Sequence, residues 1–231
     1  MAEPLLLIPG MMCDARLFAP QFSAFSADRP IIHVTPVGET SMQGFARQVL
    51  SIAPRRFALA GLSMGGIIAM EIARQAPDRV ARLALMDTNP RVDPPEKAAM
   101  REAQVDKVRN GGLQEVMREE MKPNYLADGP AKSGILDLCM QMANALGPKV
   151  FAAQSHAIQT RPDQTETLRG LQVPALVLCG VDDQLCPVDR HELMHVLIPN
   201  SRLTVIPGAG HLPTLEQPDL TNEALQEWLN M

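Results

Sequence analysis

The chain has 231 residues, of which 46% are apolar and 20% charged, and its formal net charge is −5 at pH 7. This length fits one domain with a sizeable core. The charges form no basic stripe, so we expect no nucleic-acid partner. No apolar run approaches the roughly 20 residues of a membrane span, so we expect no membrane partner either. We see neither a signal peptide nor a Cys-x-x-Cys pair, which favours a cytoplasmic protein with four reduced cysteines.

Six short apolar runs rich in strand-forming residues alternate with helical patterns. The runs are Leu5–Ile8, Ile31–Val34, Phe57–Ala60, Leu83–Met86, Ala175–Cys179 and Leu203–Ile206. The helical patterns include Met42–Ile52 and Met64–Gln75. Strands that alternate with helices form βαβ units. We therefore predict an α/β fold, with a mostly parallel central sheet of about six strands and helices on both faces.

The third apolar run leads into the turn Gly61-Leu62-Ser63-Met64-Gly65 and then into a helix. A strand, a Gly-x-Ser-x-Gly turn and a helix, in this order, make the pattern of a nucleophile elbow. The turn is so sharp that the serine takes strained backbone angles, and glycine at 61 and 65 removes clashes. We predict that the Ser63 hydroxyl projects from the tip of the sheet. The backbone N–H of Met64, at a helix N-terminus, is then placed to stabilise an oxyanion.

Strand patterns are missing from the middle of the chain. Prolines open and close this stretch, and four helical patterns lie within it, at 97–109, 113–121, 135–145 and 149–159. We therefore predict that residues 1–89 and 173–231 together build the sheet domain. Residues 90–172 form a helical segment inserted into it.

Acidic and histidine side chains follow the later strands. Asp182 and Asp183 lie just after the fifth run, His211 lies after the sixth, and Asp87 follows the fourth. Open α/β sheets place their functional sites at the carboxyl ends of strands, where these loops meet. On position alone, any of the three aspartates could partner a histidine.

Four other histidines compete with His211. His191 and His195 are four residues apart, hence on one helix face, and nearby Glu192 favours a solvated face. His33 lies in a predicted strand, which favours a structural role. His156 lies in the helical segment, from which it could reach a pocket.

These motifs together resemble the α/β-hydrolase superfamily, and the likeness covers Leu5 to about Leu229 apart from the middle segment. The chain order serine, aspartate, histidine is the order of that family. The resemblance implies Ser63 as nucleophile, His211 as general base and Asp183 as the acid. Asp183 is favoured because the family pattern Gly-x-x-Asp-x-x-x-Pro is matched by Gly180, Asp183 and Pro187.

The resemblance also implies an oxyanion hole made by the backbone N–H groups of Met11 and Met64. Many relatives carry His-Gly before the first of these donors, whereas this chain has Pro9-Gly10. Because the donor is a backbone amide, we expect the hole to survive that change. Residues 90–172 then correspond to the helical cap of the family, and substrate contacts are predicted from Met12, Tyr125 and His156.

The function implied is that of a serine hydrolase that cleaves carboxylic esters of small to medium substrates through an acyl-serine intermediate. Lactones, thioesters and C–C bonds are alternative substrates for the same triad. Ser63 excludes the dehalogenase and epoxide-hydrolase branches, which need an aspartate there. Glu119 and Glu120 support an aminopeptidase poorly, since adjacent helix residues point apart. A non-catalytic receptor or scaffold is the less favoured alternative. We predict no cofactor and no metal ion.

Overall fold

The computed structural model describes residues 2–231, apart from the side chain of Asn124. Its centre is a six-stranded sheet in the order β2-β1-β3-β4-β5-β6, and every pairing is parallel. The strands are β1 (Leu5–Ile8), β2 (Ile31–His33), β3 (Phe57–Leu62), β4 (Val80–Met86), β5 (Ala175–Gly180) and β6 (Ser201–Ile206). All six predicted strands and the predicted α/β fold class are confirmed.

Helices cover both faces of this sheet because its strands are apolar on both sides. Residues Leu6 and Ile8 of β1 belong to one core, and Leu5 and Leu7 to the other. The helices of the sheet-forming parts are α1 (Ala19–Phe25), α2 (Met42–Ile52), α3 (Met64–Gln75), α8 (Val188–Leu197), α9 (Pro213–Glu216) and α10 (Pro218–Leu229). The first core takes the apolar faces of α2, α3 and α8, and the second those of α1 and α10.

The secondary-structure elements described between β4 and β5 are helices joined by loops, as the sequence pattern indicates. They include α4 (Pro95–Arg109), α5 (Leu113–Glu115), a π-helical turn at Val116–Met121, α6 (Lys132–Gln159) and α7 (Thr165–Arg169). Gly147 interrupts α6 with the non-helical angles φ 80° and ψ 175°, and Pro148 follows it. The break separates the two helical patterns expected on either side of this position. No helix within residues 2–231 combines the length and the apolar character needed to cross a bilayer.

Parallel strands bring their carboxyl ends to one edge of the sheet. Met11 follows β1, Ser63 follows β3, Asp183 follows β5 and His211 follows β6. Residues far apart in sequence therefore converge on a single edge. Helix α4 and the end of α6 lie over the same edge and help to line a cavity there.

Candidate active site

Ser63 occupies a strained turn between β3 and α3. Its backbone angles are φ 55° and ψ −116°, which non-glycine residues rarely adopt. A Cβ at Gly61 would lie 2.2 Å from the carbonyl oxygen of Gly65, and a Cβ at Gly65 would lie 2.0 Å from that of Ile8. Only glycine fits at either position, because backbone atoms cannot yield as side chains do. The turn therefore holds the Ser63 hydroxyl at the sheet edge at a cost of order 1–3 kcal/mol in strain.

A continuous chain of hydrogen bonds joins Ser63, His211 and Asp183. The distance from His211 Nε2 to Ser63 Oγ is 2.9 Å, and that from His211 Nδ1 to Asp183 Oδ2 is 2.8 Å. An ionised carboxylate only accepts hydrogen bonds, so Nδ1 carries the proton and Nε2 is left to accept from the serine hydroxyl. The site thus presents an alcohol, an imidazole and a buried carboxylate in line.

The Asp183 carboxyl is ionised despite its burial. Burial opposes ionisation, but the His211 ring and the backbone N–H groups of Cys186 and Leu185 outweigh it. The two N–H groups lie 3.0 Å and 2.8 Å from Asp183 Oδ1. Together these contacts lower the pKa of Asp183 to about 2, so the carboxylate persists at neutral pH.

A second carboxylate, that of Glu216, holds the loop that carries His211. Glu216 Oε2 accepts hydrogen bonds from the backbone N–H groups of Gly210 and Ala127, and Oε1 accepts one from Leu212, each at 2.9 Å. The backbone N–H of His211 donates to the carbonyl oxygen of Tyr125 at 2.6 Å. The loop after β6 and the middle segment are thus tied together at the histidine. Sequence reasoning missed Glu216, although an acidic residue at the end of the short helix α9, five residues after His211, was a usable signal.

Two backbone N–H groups beside Ser63 have no hydrogen-bond acceptor within residues 2–231, those of Met11 and Met64. Met64 begins α3, where the first N–H groups of a helix have no acceptor within the helix. The loop with Met11 is close, since a Cβ at Gly10 would lie 3.3 Å from the Cβ of Ser63. Both groups are therefore available to an oxygen that carries negative charge at Ser63.

A buried glutamine braces the loop after β1. Gln154, fully buried on α6, accepts from the Met12 N–H at 2.9 Å and donates to the Pro36 carbonyl at 2.8 Å. Met12 itself has φ 55°, so this hydrogen bond supports a strained residue. Gln154 was not singled out from the sequence, because its partners are 142 and 118 residues away.

A cavity of about 200 Å³ opens at Ser63 and His211. Tyr125 lines it, whereas two other predicted substrate contacts do not. Met12 lies outside the cavity lining, and its side chain is 1% exposed and packs in the core. The structure places His156 elsewhere, with its side chain exposed on a separate surface groove beside Thr40.

Among the described residues, neither of the competing aspartates is hydrogen-bonded to His211. Asp182 is exposed. Asp87 is fully buried and accepts from the Gly180 N–H at 2.9 Å, and burial together with the charge of Asp183 raises its pKa well above the ordinary value. Within residues 2–231, Asp183 is the aspartate hydrogen-bonded to His211.

The solvated face expected for His191 and His195 is wrong for His191. His195 is exposed, but His191 is fully buried. Its Nε2 accepts from the Thr88 N–H at 3.1 Å, and its Nδ1 lies 3.2 Å from the Pro187 carbonyl oxygen. Burial lowers the pKa of His191 to about 4, so the ring is neutral at pH 7. The Thr88 hydroxyl donates to the Ser63 carbonyl oxygen at 2.8 Å. Thr88 therefore links His191 to the turn that carries Ser63.

One group of side chains has the spacing of metal ligands. Ligand atoms of Asp183, Cys186 and His211 lie within 4.8 Å of one another. Burial and the neighbouring carboxylates raise the pKa of the Cys186 thiol far above its ordinary value, and both Asp183 oxygens already accept hydrogen bonds. A divalent metal needs a thiolate and free carboxylate oxygens, so these residues fit a hydrogen-bonded site better than a metal site.

This chain is similar to one protein family as a whole and to individual proteins whose sequence or structure is known. The sequence model of the Alpha/beta hydrolase family matches residues 5–224. A pimeloyl-[acyl-carrier protein] methyl ester esterase of Legionella pneumophila (strain Corby) is 26% identical over 98% of this chain and 95% of its own. A thermophilic esterase from Thermogutta terrifontis, solved with malate bound, is 32% identical with a TM-score of 0.90, over 100% of this chain and 90% of its own.

An enol-lactonase from Burkholderia xenovorans LB400 also has a TM-score of 0.90, over 100% of this chain and 92% of its own. At 21% identity, it supports the fold alone. The family match spans nearly the whole chain and includes all the strands and loops described above. The chain therefore belongs to the alpha/beta hydrolase family, as an esterase-type hydrolase.

Proposed function

We propose that the protein hydrolyses carboxylic esters through an acyl-enzyme on Ser63. The observation that carries this proposal is the line of hydrogen bonds from Ser63 Oγ through His211 to Asp183, at 2.9 Å and 2.8 Å. A serine hydroxyl is a weak nucleophile until a base removes its proton, and His211 is in contact with it. The strained turn at Ser63 supports the same role, since strain of this kind concentrates at functional sites.

Each group has a defined role in the proposed reaction. His211 Nε2 takes the proton as Ser63 Oγ attacks the ester carbonyl, and the resulting imidazolium is stabilised by Asp183. The carbonyl oxygen becomes an oxyanion that accepts from the N–H groups of Met11 and Met64, each worth roughly 3 kcal/mol. His211 then protonates the departing alcohol. Water, activated by the same histidine, attacks the acyl-serine and releases the acid.

The substrate is proposed to be a small to medium ester, and residues 90–172 to act as its cap. Relatives that hydrolyse a methyl ester align over nearly the whole chain, which supports an ester over a lactone, a thioester or a C–C bond. Helix α4 and the end of α6 supply one wall of the cavity, and the loop with Tyr125 supplies another. A wall of this kind keeps bulk water from the acyl-enzyme and sets the length of the acyl group.

The test is hydrolysis of p-nitrophenyl esters over a series of acyl-chain lengths. We expect the parent to be most active at one chain length and the Ser63→Ala variant to lose at least about 10³-fold in kcat, as when any member of a triad is removed. Ser51→Ala is the matched control, because Ser51 is exposed and is not among the residues that line the cavity. It should retain full activity.

Labelling by a fluorophosphonate probe separates the possible failures. Labelling at Ser63 without turnover of any ester in the series would retain the nucleophile but overturn a simple ester as the substrate. No labelling and no turnover in the parent would overturn the whole proposal in favour of a non-catalytic protein.

A further inference from the structure

One face of α4 forms a polar wall of the cavity. Lys97, Met100, Arg101 and Gln104 line it, and their spacing of three and four residues places them on one side of the helix. The other walls near Ser63 are largely apolar, with Leu62, Ile67 and Leu185 among them. Cationic side chains on one side of a mostly apolar cavity are costly to desolvate, so their presence calls for an explanation.

Arg101 is held in place by a network of ion pairs. Asp93 Oδ2 contacts Arg101 Nε at 3.3 Å, and Asp93 Oδ1 contacts Arg161 Nη2 at 2.9 Å. Arg161, with 5% of its side chain exposed, also donates to the Arg91 carbonyl oxygen at 2.9 Å and 2.6 Å. Arg161 is therefore occupied by the protein itself, and Asp93 orients Arg101 toward the cavity without consuming its outer nitrogens.

The outer nitrogens of Arg101 have little to bind within residues 2–231. Nη1 has one weak contact, with the sulfur of Met11 at 3.9 Å, and Nη2 makes no hydrogen bond among the described residues. Lys97, one helical turn earlier, forms no ion pair among the described residues. These two cations therefore remain available to a ligand, and Arg101 reaches the loop whose Met11 N–H lies beside Ser63.

The charge of the cavity wall is positive. Three cations line it, Lys97, Arg101 and Arg161, against two carboxylates, those of Asp93 and Glu120. Glu120 is already neutralised by Lys107, which lies 2.5 Å away outside the cavity lining. A neutral ester gains nothing from this excess of positive charge. An anionic group on the substrate would offset the cost of burying it.

We propose that Arg101, assisted by Lys97, binds an anionic group of the substrate, so that the preferred ester carries a carboxylate or a phosphate besides the scissile bond. This inference rests on the proposed ester hydrolysis at Ser63. Arg101 presents two N–H donors in one plane, which suits bidentate binding of such a group. The anion would lie on the α4 side of the cavity while the ester carbonyl lies at Ser63.

The test compares monomethyl adipate with dimethyl adipate, in which the second carboxylate is replaced by a neutral methyl ester, by the initial rate of methanol release per ester group. We expect the parent to prefer the monoester in kcat/KM by about 10-fold or more, because its free carboxylate would form charge-assisted hydrogen bonds with Arg101. Arg101→Gln should lower that preference by about 10-fold, and Lys97→Gln by a smaller factor. Arg109→Gln, on the exposed end of the same helix, should leave the preference unchanged.

The anion itself is identified by a third ester of matched chain length, methyl 5-phosphonopentanoate. A higher kcat/KM for it than for monomethyl adipate would assign a phosphate-type group, and the reverse would assign a carboxylate. Equal turnover of the mono- and dimethyl esters by the parent, or a preference unaltered in Arg101→Gln, would overturn the proposal.

A binding measurement keeps this inference separate from the proposed function. Calorimetric titration of the Ser63→Ala variant with glutarate, and separately with inorganic phosphate, requires no turnover. We expect binding of at least one anion that weakens about 10-fold or more when Arg101→Gln is added. Binding of neither anion would overturn the anion site, even if ester hydrolysis at Ser63 were established. Failure of hydrolysis with anion binding intact would overturn the proposed function alone.

Discussion

At the scale of single residues, burial and hydrogen-bond partners, rather than residue type, determine which side chains belong to the candidate site. Asp182 and Asp183 are chemically identical neighbours, yet Asp182 is exposed, while Asp183 is 2% exposed and hydrogen-bonded to His211. The Asp183 carboxylate thus lies in the site, whereas the Asp182 carboxylate lies in water. Their roles therefore separate cleanly in an experiment.

Asp183→Asn should lower kcat by about 10⁴-fold, because an amide leaves the neutral imidazole in the wrong tautomer. Asp182→Asn is the matched control and should lower kcat less than about twofold, since surface changes of this kind cost little. Steady-state kinetics on the best p-nitrophenyl ester measures both. A large loss in Asp182→Asn with an active Asp183→Asn would show that the acid has been misassigned.

At the scale of secondary-structure elements, short polar bridges hold the loops that the sheet brings together. Glu216, at the end of α9, accepts from backbone N–H groups on both sides of His211 and from Ala127 in the middle segment. Burial raises the pKa of Glu216, while those three N–H groups favour its ionised form. The carboxylate therefore sets the position of the histidine and ties the proposed cap to it.

Glu216→Gln should lower kcat/KM by about 10-fold and the free energy of unfolding by about 1–3 kcal/mol, because the amide nitrogen leaves buried N–H groups without an acceptor. Glu223→Gln, on the exposed face of α10, serves as the control and should change neither quantity. Ester kinetics and urea unfolding provide the two measurements. If Glu216→Gln lost stability but kept its kcat/KM, Glu216 would not be a positioning residue for His211.

At the scale of the whole molecule, one buried histidine couples pH to stability. His191 joins α8 to the loop after β4 through the Thr88 N–H, which points its hydrogen at His191 Nε2. Protonation would place a second donor against that N–H. Burial lowers the folded-state pKa to about 4, whereas an unfolded histidine has its ordinary value near 6.5. The neutral ring thus favours the folded state.

The free energy of unfolding should therefore fall as pH drops from about 6.5 to about 4. The contribution of His191 to the free energy of unfolding is complete above pH 6.5. It is lost between pH 6.5 and 4, because the unfolded state binds a proton there and the folded state does not. The total loss is on the order of 3 kcal/mol. Urea unfolding at pH 7, 5.5 and 4.5 measures it, and His191→Gln should flatten the decline. An equally steep decline in His191→Gln would assign the effect to other groups.

The local structures of this protein were predictable because they depend on neighbours in the chain. The six strands, α2 and α3 follow from apolar periodicity, and the elbow follows from two glycines around Ser63. The breaks at Gly147 and at the prolines around the middle segment are likewise local. Tight turns and runs of buried residues need no distant partner to be recognised.

The tertiary structure decided which side chains are buried and which distant residues contact the loops of the site. Sequence alone established the elbow, the alternation of strands and helices and the likeness to a family whose serine, aspartate and histidine occur in this order. Only the fold turned Met12 into the core and His156 outward, buried His191, and brought Gln154, Glu216 and Arg101 to the loops they contact. The physical reason is that burial and hydrogen-bond pairing depend on which surfaces meet when helices pack on the sheet, and the period of a helix does not specify its partner.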